Sequence, residues 1–536
     1  MKYKILLLLP FLGCCLASCY EDKGNYDYND LLQVSGVTFV RDVDGEETES
    51  GSWEVPVGTV LKIRPILSFT KEKSKMNLAY TWIYKDEVIG QEEQLNWLTE
   101  EVGGGYVRLD IEDLDTENHF LFNFSVNITD PYRDSGFLIL NEKDGISYFN
   151  FIRGSYYGND VDTEYEPLLG LYQKENGETL KPEAEYFKIH EHFRKDNNYP
   201  SYNTQFMIVG KHELIDVNAY TFKEVIRGSK DMFMAGMPEI SDVMFMQWFD
   251  IVTDQEGKVY RRKKSTNELY HSNQFLAAPM KDDKGKELSG IKIIPGDLSD
   301  NFCLLFDQER NCFLTISDWK DSYYGDNNLG QISVLESGSG EWPENFVPLD
   351  NLGDYKMIFC GFYRDAWGSI KRYFTILKKD NRYYYQQFSV DSDYNTGIFY
   401  VDNCVRGELT GFTDNMADGI MSLMWYSNGF DSSMHPYLFI AKENKLYLYD
   451  YTAINDSKEK VQEIYTFDSP IVAIDGTCIS GVHLGVGLAD GTFHAIKATN
   501  AKYYLNDPSL ILWTQKNLGK IKCIKYNTSA QAPAYY

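Results

Sequence analysis

The chain has little of several residue types and patterns on which common functions depend. Proline accounts for 16 and histidine for 8 of the 536 residues. The apolar run from Ile5 to Leu12 is far shorter than the roughly 20 residues of a membrane-spanning helix. Basic residues number 52 against 79 acidic ones, for a net charge of −27. A field of this sign repels phosphate backbones, so we expect no nucleic acid partner.

Common catalytic motifs are also missing. The sequence has no H-E-x-x-H, G-x-S-x-G or P-loop pattern. The pair Gly485-x-Gly487 lies in a predicted hairpin with no helix after it, which argues against a dinucleotide site. His190 and His192 form the only close histidine pair. On a strand their rings would share a face and could bind a metal; the alternative is a solvated loop or strand.

The cysteines give no metal or redox pattern. Those that follow Cys19 show no C-x-x-C spacing, and each lies in or beside an apolar strand-like run: Cys303, Cys312, Cys360, Cys404, Cys478 and Cys523. We predict buried free thiols rather than disulfides. Cys303 and Cys312 flank a turn, but counting outward from that turn pairs Cys312 with Leu305.

The N-terminus is the most specific signal. Lys2 and Lys4 precede the apolar run, and Leu16-Ala17-Ser18-Cys19 follows it. This order is typical of a lipoprotein signal, so we expect cleavage after residue 18 and lipid on Cys19. Alternatives are an ordinary secretory signal with incidental cysteines, or cleavage before Cys14. Two or three acyl chains would hold the protein on a bilayer.

An acidic pair, Glu21-Asp22, comes directly after the anchoring cysteine. It resembles the signal that sends some Gram-negative lipoproteins to the outer face of the outer membrane. We therefore predict a lipid-anchored protein of the outer membrane that faces the extracellular side. Residues 19–33 form an acidic tether.

Composition favours an all-β fold, since 15% of the residues are aromatic, with 40 Tyr and 31 Phe. Residues 34–130 contain short runs that alternate apolar and polar side chains, as in Leu78–Tyr84 and Tyr106–Ile111. We predict a β-sandwich of immunoglobulin type here, with Trp82 in its core.

Residues 131–530 carry an internal repeat of an apolar strand, a loop and a tight hairpin. The predicted hairpins lie near residues 137–151, 206–222, 246–262, 302–316, 373–390, 437–450 and 484–497. Repeats at this spacing predict a seven-bladed β-propeller. The alternative is a set of unrelated hairpins in stacked sandwiches.

The two ends of this repeat region complete one blade. The strand motif at residues 519–526 has no hairpin after it, and the hairpin at 137–151 has no first strand before it. We predict that the C-terminal strand pairs beside that hairpin and closes the ring, which would cover two sheet edges.

Aromatic residues in irregular segments are the predicted ligand-binding residues. They occur beside polar residues in loops of the repeat: Trp319, Tyr323, Tyr324, Arg364, Trp367 and Tyr426. Equivalent loops of a propeller emerge on one face, where flat rings and polar groups would suit a sugar or a peptide backbone. The alternative is that these rings pack between blades.

Two further chemistries rest on carboxylates. Asp391, Asp393 and Asn395 alternate as in a calcium loop but lack the glycine and glutamate positions of an EF-hand. An ordinary polar turn is the alternative, and we expect no other cofactor. Paired carboxylates of a glycosidase type cannot be picked out of 79 acidic residues.

Two segments resemble a known family. The stretch from Cys19 to Tyr28, CYEDKGNYDY, and the stretch from Gly136 to Gly145, GFLILNEKDG, are similar to segments of the PKD-like family lipoproteins. The resemblance implies a partnership with SusC/SusD-type outer-membrane importers and nutrient uptake, and it supplies no catalytic motif. We expect a non-enzymatic surface protein that binds a glycan or peptide or docks on the importer. Alternatives are a propeller hydrolase or lyase, and a structural adaptor.

Overall fold

The computed structural model divides the chain into two compact units, Met1–Pro131 and Tyr132–Tyr536. The structure describes residues 33–43, 46–70, 76–100, 102–132, 135–154, 165–193, 202–228, 232–246, 248–264, 273–282, 284–296, 300–319, 328–364, 371–393, 396–425, 436–449, 461–476, 483–497 and 505–527. Within this part of the chain, no helix is long and apolar enough to cross a membrane.

The described part of the first unit consists of two β-sheets. In chain order its strands are β1 (Val34–Val43), β2 (Glu46–Glu49), β3 (Ser52–Pro56), β4 (Val60–Phe69), β5 (Leu78–Tyr84), β6 (Glu87–Gly90), β7 (Leu95–Leu98), β8 (Gly103–Asp113) and β9 (Asn118–Thr129). One sheet has the order β2-β1-β4-β7 and the other β3-β9-β8-β5-β6. Neighbours are antiparallel except β3 and β9, which are parallel.

The core of the first unit lies between the two sheets. Along β4 exposed and buried residues alternate, so that Leu61 and Ile63 face inward. They share one apolar cluster with Trp82 and Phe124 of the other sheet. Trp82 is fully buried, and its indole N–H donates to the Glu92 carbonyl at 2.9 Å. The predicted sandwich arrangement and the core position of Trp82 are confirmed.

The described part of the second unit consists mainly of strands. In chain order the strands are β10 (Gly136–Lys143), β11 (Ile146–Gly154), β12 (Tyr165–Leu168), β13 (Ala184–Phe193), β14 (Tyr202–Gly210), β15 (Leu214–Asn218), β16 (Glu224–Gly228), β17 (Ile240–Phe245), β18 (Phe249–Asp254), β19 (Val259–Lys263), β20 (Ile291–Ile294), β21 (Phe302–Asp307), β22 (Cys312–Ser317), β23 (Ile332–Val334), β24 (Glu336–Ser337), β25 (Lys356–Arg364), β26 (Lys371–Lys379), β27 (Arg382–Ser392), β28 (Phe399–Glu408), β29 (Ile420–Trp425), β30 (Pro436–Lys442), β31 (Lys445–Tyr449), β32 (Val461–Thr466), β33 (Ile471–Gly476), β34 (His483–Leu488), β35 (Phe493–Lys497), β36 (Ile511–Gln515) and β37 (Lys520–Asn527). Short helices are α1 (Leu171–Asn176), α2 (Asp414–Ala417) and a 3₁₀ turn at Pro508–Leu510.

These strands form separate small sheets. Their orders are β12-β11-β10-β37, β13-β14-β15-β16, β17-β18-β19, β20-β21-β22-β23, β24-β28-β27-β26-β25, β29-β30-β31-β32 and β33-β34-β35-β36. Each predicted hairpin is present as the second and third strands of one sheet, which confirms the repeat. The turns use positive φ at residues such as Asp144, Gly145 and Glu443, as tight hairpins require.

The first sheet combines the two ends of the second unit. Strand β37 pairs antiparallel with β10, with Ile524 opposite Ile139 and Tyr526 opposite Phe137. The Asn141 side chain donates to the Leu518 carbonyl just before β37. The predicted pairing of the C-terminal strand with the first hairpin is confirmed.

We call β37, β13, β17, β20, β25, β29 and β33 the first strands of their sheets. They contact one another in that succession, and β33 also contacts β37. Contacts between β13 and β17 occur in the same order along both strands. The Lys188 amine pairs with Asp242, and further along both strands the His190 ring contacts the Phe245 ring, with 5.0 Å between centroids. Neighbouring first strands β13 and β17 are therefore parallel.

The described cysteines are free thiols: Cys303, Cys312, Cys360, Cys404 and Cys523. The first three are buried as predicted, whereas Cys404 and Cys523 are half-buried. Cys478 lies outside the described residues. The predicted register of Cys312 is wrong, because the turn before it contains four residues and places Cys312 opposite Asp307 rather than Leu305. Burial raises the pKa of the Cys303 thiol to about 12.

Candidate functional site

One end of the second unit gathers the buried polar side chains and the loops that the sequence singles out. Six first strands are followed by their second strand at this end, which we call the loop end, and the end of β37 lies there opposite Gly136, the start of β10. It is defined by the last residues of the first strands: Phe193, Phe245, Ile294, Arg364, Trp425, Gly476 and Asn527. Because the first, second, third and fourth strands of a sheet pair antiparallel, connections between third and fourth strands reach the same end.

Neighbouring sheets contact one another at the loop end through polar groups. The Trp248 N–H donates to the Asp318 carboxylate at 3.1 and 3.2 Å. The Lys371 amine pairs with Asp300 at 2.8 Å, and the Tyr526 N–H donates to Asp475 at 2.8 Å. These contacts keep the ends of successive sheets together.

Four buried charged side chains at this end form a group that we call the Asp250 cluster: Asp250, Arg262, Lys264 and Asp318. Asp250 follows Phe249 in β18, Arg262 lies opposite it in β19, and Lys264 comes directly after β19. The side chains of Asp250, Arg262 and Lys264 have no solvent exposure.

Asp250 bridges both cations of the cluster. Its Oδ2 accepts from Arg262 Nε at 2.8 Å, and its Oδ1 lies 2.8 Å from Lys264 Nζ. Lys264 also donates to the Met246 carbonyl. Desolvation lowers the pKa of Lys264, although Asp250 opposes the shift. The amine is therefore held in surroundings that disfavour its charge.

Two aromatic rings enclose the guanidinium of Arg262. Its central carbon lies 4.9 Å from the Phe275 ring centroid and 5.6 Å from that of Phe245. Phe275 in turn stacks on Phe233, with 4.8 Å between centroids. Rings on both sides stabilise a desolvated cation through their π faces, and they fix the position of Arg262 against Asp250.

A second buried pair adjoins this cluster through Phe245. His190 Nε2 lies 2.7 Å from Asp216 Oδ1, with side-chain exposures of 2% and 0%. The prediction of a solvated position for His190 is wrong, because β13 places its side chain in the interior. The Asp216 carboxylate is the partner that the described residues give it, and the side chain of His192 lies outside them. No group of three His, Cys, Asp or Glu that could hold a metal occurs among the described residues.

Other polar side chains line the same end in neighbouring sheets. The Tyr363 hydroxyl donates to Gln387 Oε1 at 2.9 Å, and Tyr165 hydroxyl lies 2.7 Å from His483 Nδ1. Tyr363, Gln387 and His483 are buried. The loop end therefore has a polar interior that is held by specific pairs.

Most of the predicted ligand-binding residues belong to loops that begin here, but few are described. Trp319 is half-buried and directly follows Asp318. Its backbone N–H donates to Ser317 Oγ at 3.1 Å. Arg364 is the last residue of β25, and its side chain lies outside the described residues, as do the following residues completely: Tyr323, Tyr324, Trp367 and Tyr426. The described strand ends bring the starts of these loops to one end of the unit.

The predicted calcium loop connects β27 and β28. The backbone carbonyl of Asp393 accepts from the N–H groups of Thr396 and Gly397 at 3.2 and 2.7 Å. The backbone N–H of Asp393 donates to the Ile398 carbonyl at 2.9 Å. Asp391 Oδ1 accepts from the Ser392 N–H at 2.7 Å, while Asn395 lies outside the described residues. These bonds are those of a polar hairpin turn.

The sequence interpretation missed the Asp250 cluster and Asp216. A signal was present, since Asp250 interrupts the apolar run from Val243 to Val252. A charged residue inside a strand that is buried on both faces needs a buried partner. The partners Arg262 and Lys264 stand in a basic run that resembles an exposed patch.

A comparison with family models finds a match in the N-terminal part of the chain. Residues 19–183 are similar to the model of the PKD-like family. This stretch contains both segments on which the resemblance rests. No curated protein matches the sequence. The similarity to the family is therefore limited to residues 19–183.

Solved structures share only a distant likeness. A quinonprotein alcohol dehydrogenase-like protein from Bacteroides thetaiotaomicron matches at 12% identity, with coverage of 90% of this chain and 98% of that chain and a TM-score of 0.40. AztD from Citrobacter koseri matches at 10% identity, with coverage of 78% and 94% and a TM-score of 0.36. Scores and identities this low do not indicate a shared function.

Proposed function

We propose that the protein is a lipid-anchored accessory protein of the outer cell surface, whose second unit is a seven-bladed β-propeller. The succession of contacts between first strands, which leads from β37 through the other sheets to β33 and back to β37, supports a ring. The first sheet, made of β10 and the C-terminal β37, would join the two ends of that ring.

The loop end is the proposed binding surface for an extracellular glycan or peptide. One observation carries this proposal: the segments with the predicted binding aromatics start at strand ends that lie together, as at Ser317, Arg364 and Trp425. Aromatic faces beside polar groups suit sugars and peptide backbones. A buried frame of ion pairs beneath them would hold the surface in one shape.

The lipid anchor and the importer rest on the sequence. The match to the PKD-like family begins at residue 19, which is the cysteine that the signal pattern assigns to the lipid. We propose that this anchor holds the protein beside a SusC/SusD-type importer, to which it passes the bound nutrient or on which it docks.

The alternative hydrolase or lyase would need a carboxylic acid with a raised pKa. Among the described residues, the carboxyl groups with a resolved shift have lowered pKa values. Asp414 is lowered chiefly by its hydrogen bond with Lys378 and then by Tyr383, and Glu142 chiefly by Lys522. Because these carboxylates are held in the ionised form, we propose neither Asp414 nor Glu142 as a catalytic acid.

The test of binding compares ring removals at the loop end with one elsewhere. Glycan and peptide panels would be screened with the purified chain, then with Trp319→Ala, Trp367→Ala and Tyr426→Ala. We expect about tenfold weaker binding for each contacting ring, equivalent to ~1.4 kcal/mol. The control is Tyr106→Ala, an exposed ring in the first unit.

Several outcomes would contradict the proposal. Unchanged affinity in all three loop variants would exclude the loop end as the ligand site. Release of shortened products would favour the hydrolase or lyase, and recovery of the importer without any ligand would favour the structural adaptor. The anchor is tested separately: Cys19→Ser should move the protein out of the membrane fraction, whereas Cys14→Ser should not.

A further inference from the structure

The Asp250 cluster places an amine and a carboxylate in contact where water is excluded. Lys264 Nζ lies 2.8 Å from Asp250 Oδ1, and neither side chain has solvent exposure. Asp250 lies in β18 opposite Arg262, and Lys264 comes directly after the neighbouring strand β19. An ion pair in such surroundings carries a large desolvation cost, which a neutral covalent product would remove.

We propose that Lys264 and Asp250 condense to an intramolecular amide, an isopeptide bond between their side chains. The Lys264 amine first passes one proton to the Asp250 carboxylate, which gives a neutral amine and a neutral acid. Nζ then attacks Cγ, the Nζ–Cγ bond forms and the Cγ–Oδ1 bond breaks. Oδ1 leaves as water with two of the three ammonium protons, and the third stays on the amide nitrogen, so no oxidant or other co-reactant is needed.

Neighbouring groups suit each step of this reaction. Arg262 Nε donates to Asp250 Oδ2 at 2.8 Å, where negative charge develops when Nζ attacks. Desolvation lowers the pKa of Lys264 and so increases the fraction of neutral amine. The Asp318 carboxylate acts in the opposite sense and raises the pKa of Lys264, as Asp250 does, but desolvation outweighs both.

The charge of the cluster remains balanced after the reaction. Arg262 and Lys264 carry positive charge, and Asp250 and Asp318 negative charge, before the bond forms. The amide removes one charge of each sign and leaves Arg262 with Asp318. The rings of Phe245 and Phe275 continue to enclose the guanidinium.

The bond would act where the second unit has its smallest sheet. In the described residues the sheet β17-β18-β19 has three strands. On the free side of β19, where a fourth strand would pair, the chain makes isolated backbone hydrogen bonds. The Leu276 N–H donates to the Arg261 carbonyl at 2.9 Å, and the Met280 N–H donates to the Val259 carbonyl at 2.8 Å. A covalent link between β18 and the end of β19 would fix this edge.

The chain contains a matched internal control. Lys188 and Asp242 also form an ion pair between neighbouring strands, but their side chains are 25% and 28% exposed. Water reaches both side chains, so the desolvation cost that condensation would remove at Lys264 is much smaller at this pair. We expect no bond at this pair.

The test is a peptide map of the full chain after unfolding and trypsin digestion. The bond blocks cleavage after Lys264, so cleavage after Lys258 and Lys263 leaves a branched peptide that joins residues 231–258 to residues 264–281. Its mass should be that of the two peptides less one water. Linear peptides with full cleavage after Lys264 would overturn the proposal.

Single substitutions test which residues form the bond. Lys264→Met and Asp250→Ala should each abolish the branched peptide, and the map reads the result whether or not the variant folds. A water loss at Lys188 and Asp242 would show that burial does not control the reaction.

Discussion

The two units bury different kinds of side chain. The core of the first unit is an apolar cluster between two sheets, and its buried polar residues serve turns and backbone groups; Thr99, for example, donates to the Pro56 and Thr59 carbonyls. The second unit buries whole ion pairs, with Asp250, Arg262 and Lys264 all free of solvent contact. Both units are built from β-strands, but the interior of the first is apolar and the interior of the second includes ion pairs.

This difference teaches where the specificity of each unit resides. Apolar side chains of similar volume can replace one another in a core. The fold of the first unit therefore depends mainly on which positions of its strands are apolar. A buried charge needs one particular partner at one distance. The second unit therefore depends on pairs that lie in different strands and sheets, such as Asp318 with Trp248 and Asp300 with Lys371.

The largest expected effect comes from removal of the C-terminal strand. A chain ending at residue 518 lacks β37 and with it Ile521, Ile524 and Tyr526, which belong to one buried cluster with Phe137. Losing several buried side chains at ~2–5 kcal/mol each exceeds the stability of most domains. We expect the second unit to unfold while the first unit keeps its own cooperative transition in thermal denaturation. Loss of both transitions would show that the units do not fold independently.

A pair of single substitutions compares the two interiors directly. Asp250→Ala leaves two buried cations without their carboxylate and should destabilise the second unit by about 3–5 kcal/mol. Trp82→Ala creates a cavity and should destabilise the first unit by about 3–5 kcal/mol. Urea unfolding with domain-specific fluorescence or proteolysis measures both.

The matched control for Asp250 is Asp242→Ala, which breaks a partly exposed pair with Lys188. We expect a loss of about 0–1 kcal/mol there. If Asp242→Ala and Asp250→Ala cost the same, burial would not explain the importance of the Asp250 cluster.

Strands in the first unit were predictable from short β-type runs and those of the second from apolar runs before tight turns, and the cluster was not. Leu78–Tyr84 was predicted as a strand and is β5 with the same ends, since its large side chains at every second position, Trp82 and Tyr84 among them, face the core. The short edge strands β2 and β6 were missed because their residues are mainly exposed and carry no alternation. The contact between Asp216 and His190 joins residues 26 positions apart, and no local pattern marks such a pair.

The smallest expected effect is a difference between the two units in how their stability depends on pH. In the first unit a hydrogen bond with Asp110 raises the pKa of His119 above 6.5, so its stabilisation is complete below that value and is lost as the pH rises through the folded pKa. In the second unit a hydrogen bond with Lys522 lowers the pKa of Glu142 below 4.5, so its stabilisation is present above that value and is lost as the pH falls through the folded pKa. Acidification from neutral pH should therefore raise the unfolding midpoint of the first unit slightly before it lowers that of the second. His119→Gln should abolish the first change and Glu142→Gln should weaken the second; a first-unit midpoint that falls on mild acidification would contradict the assignment of His119.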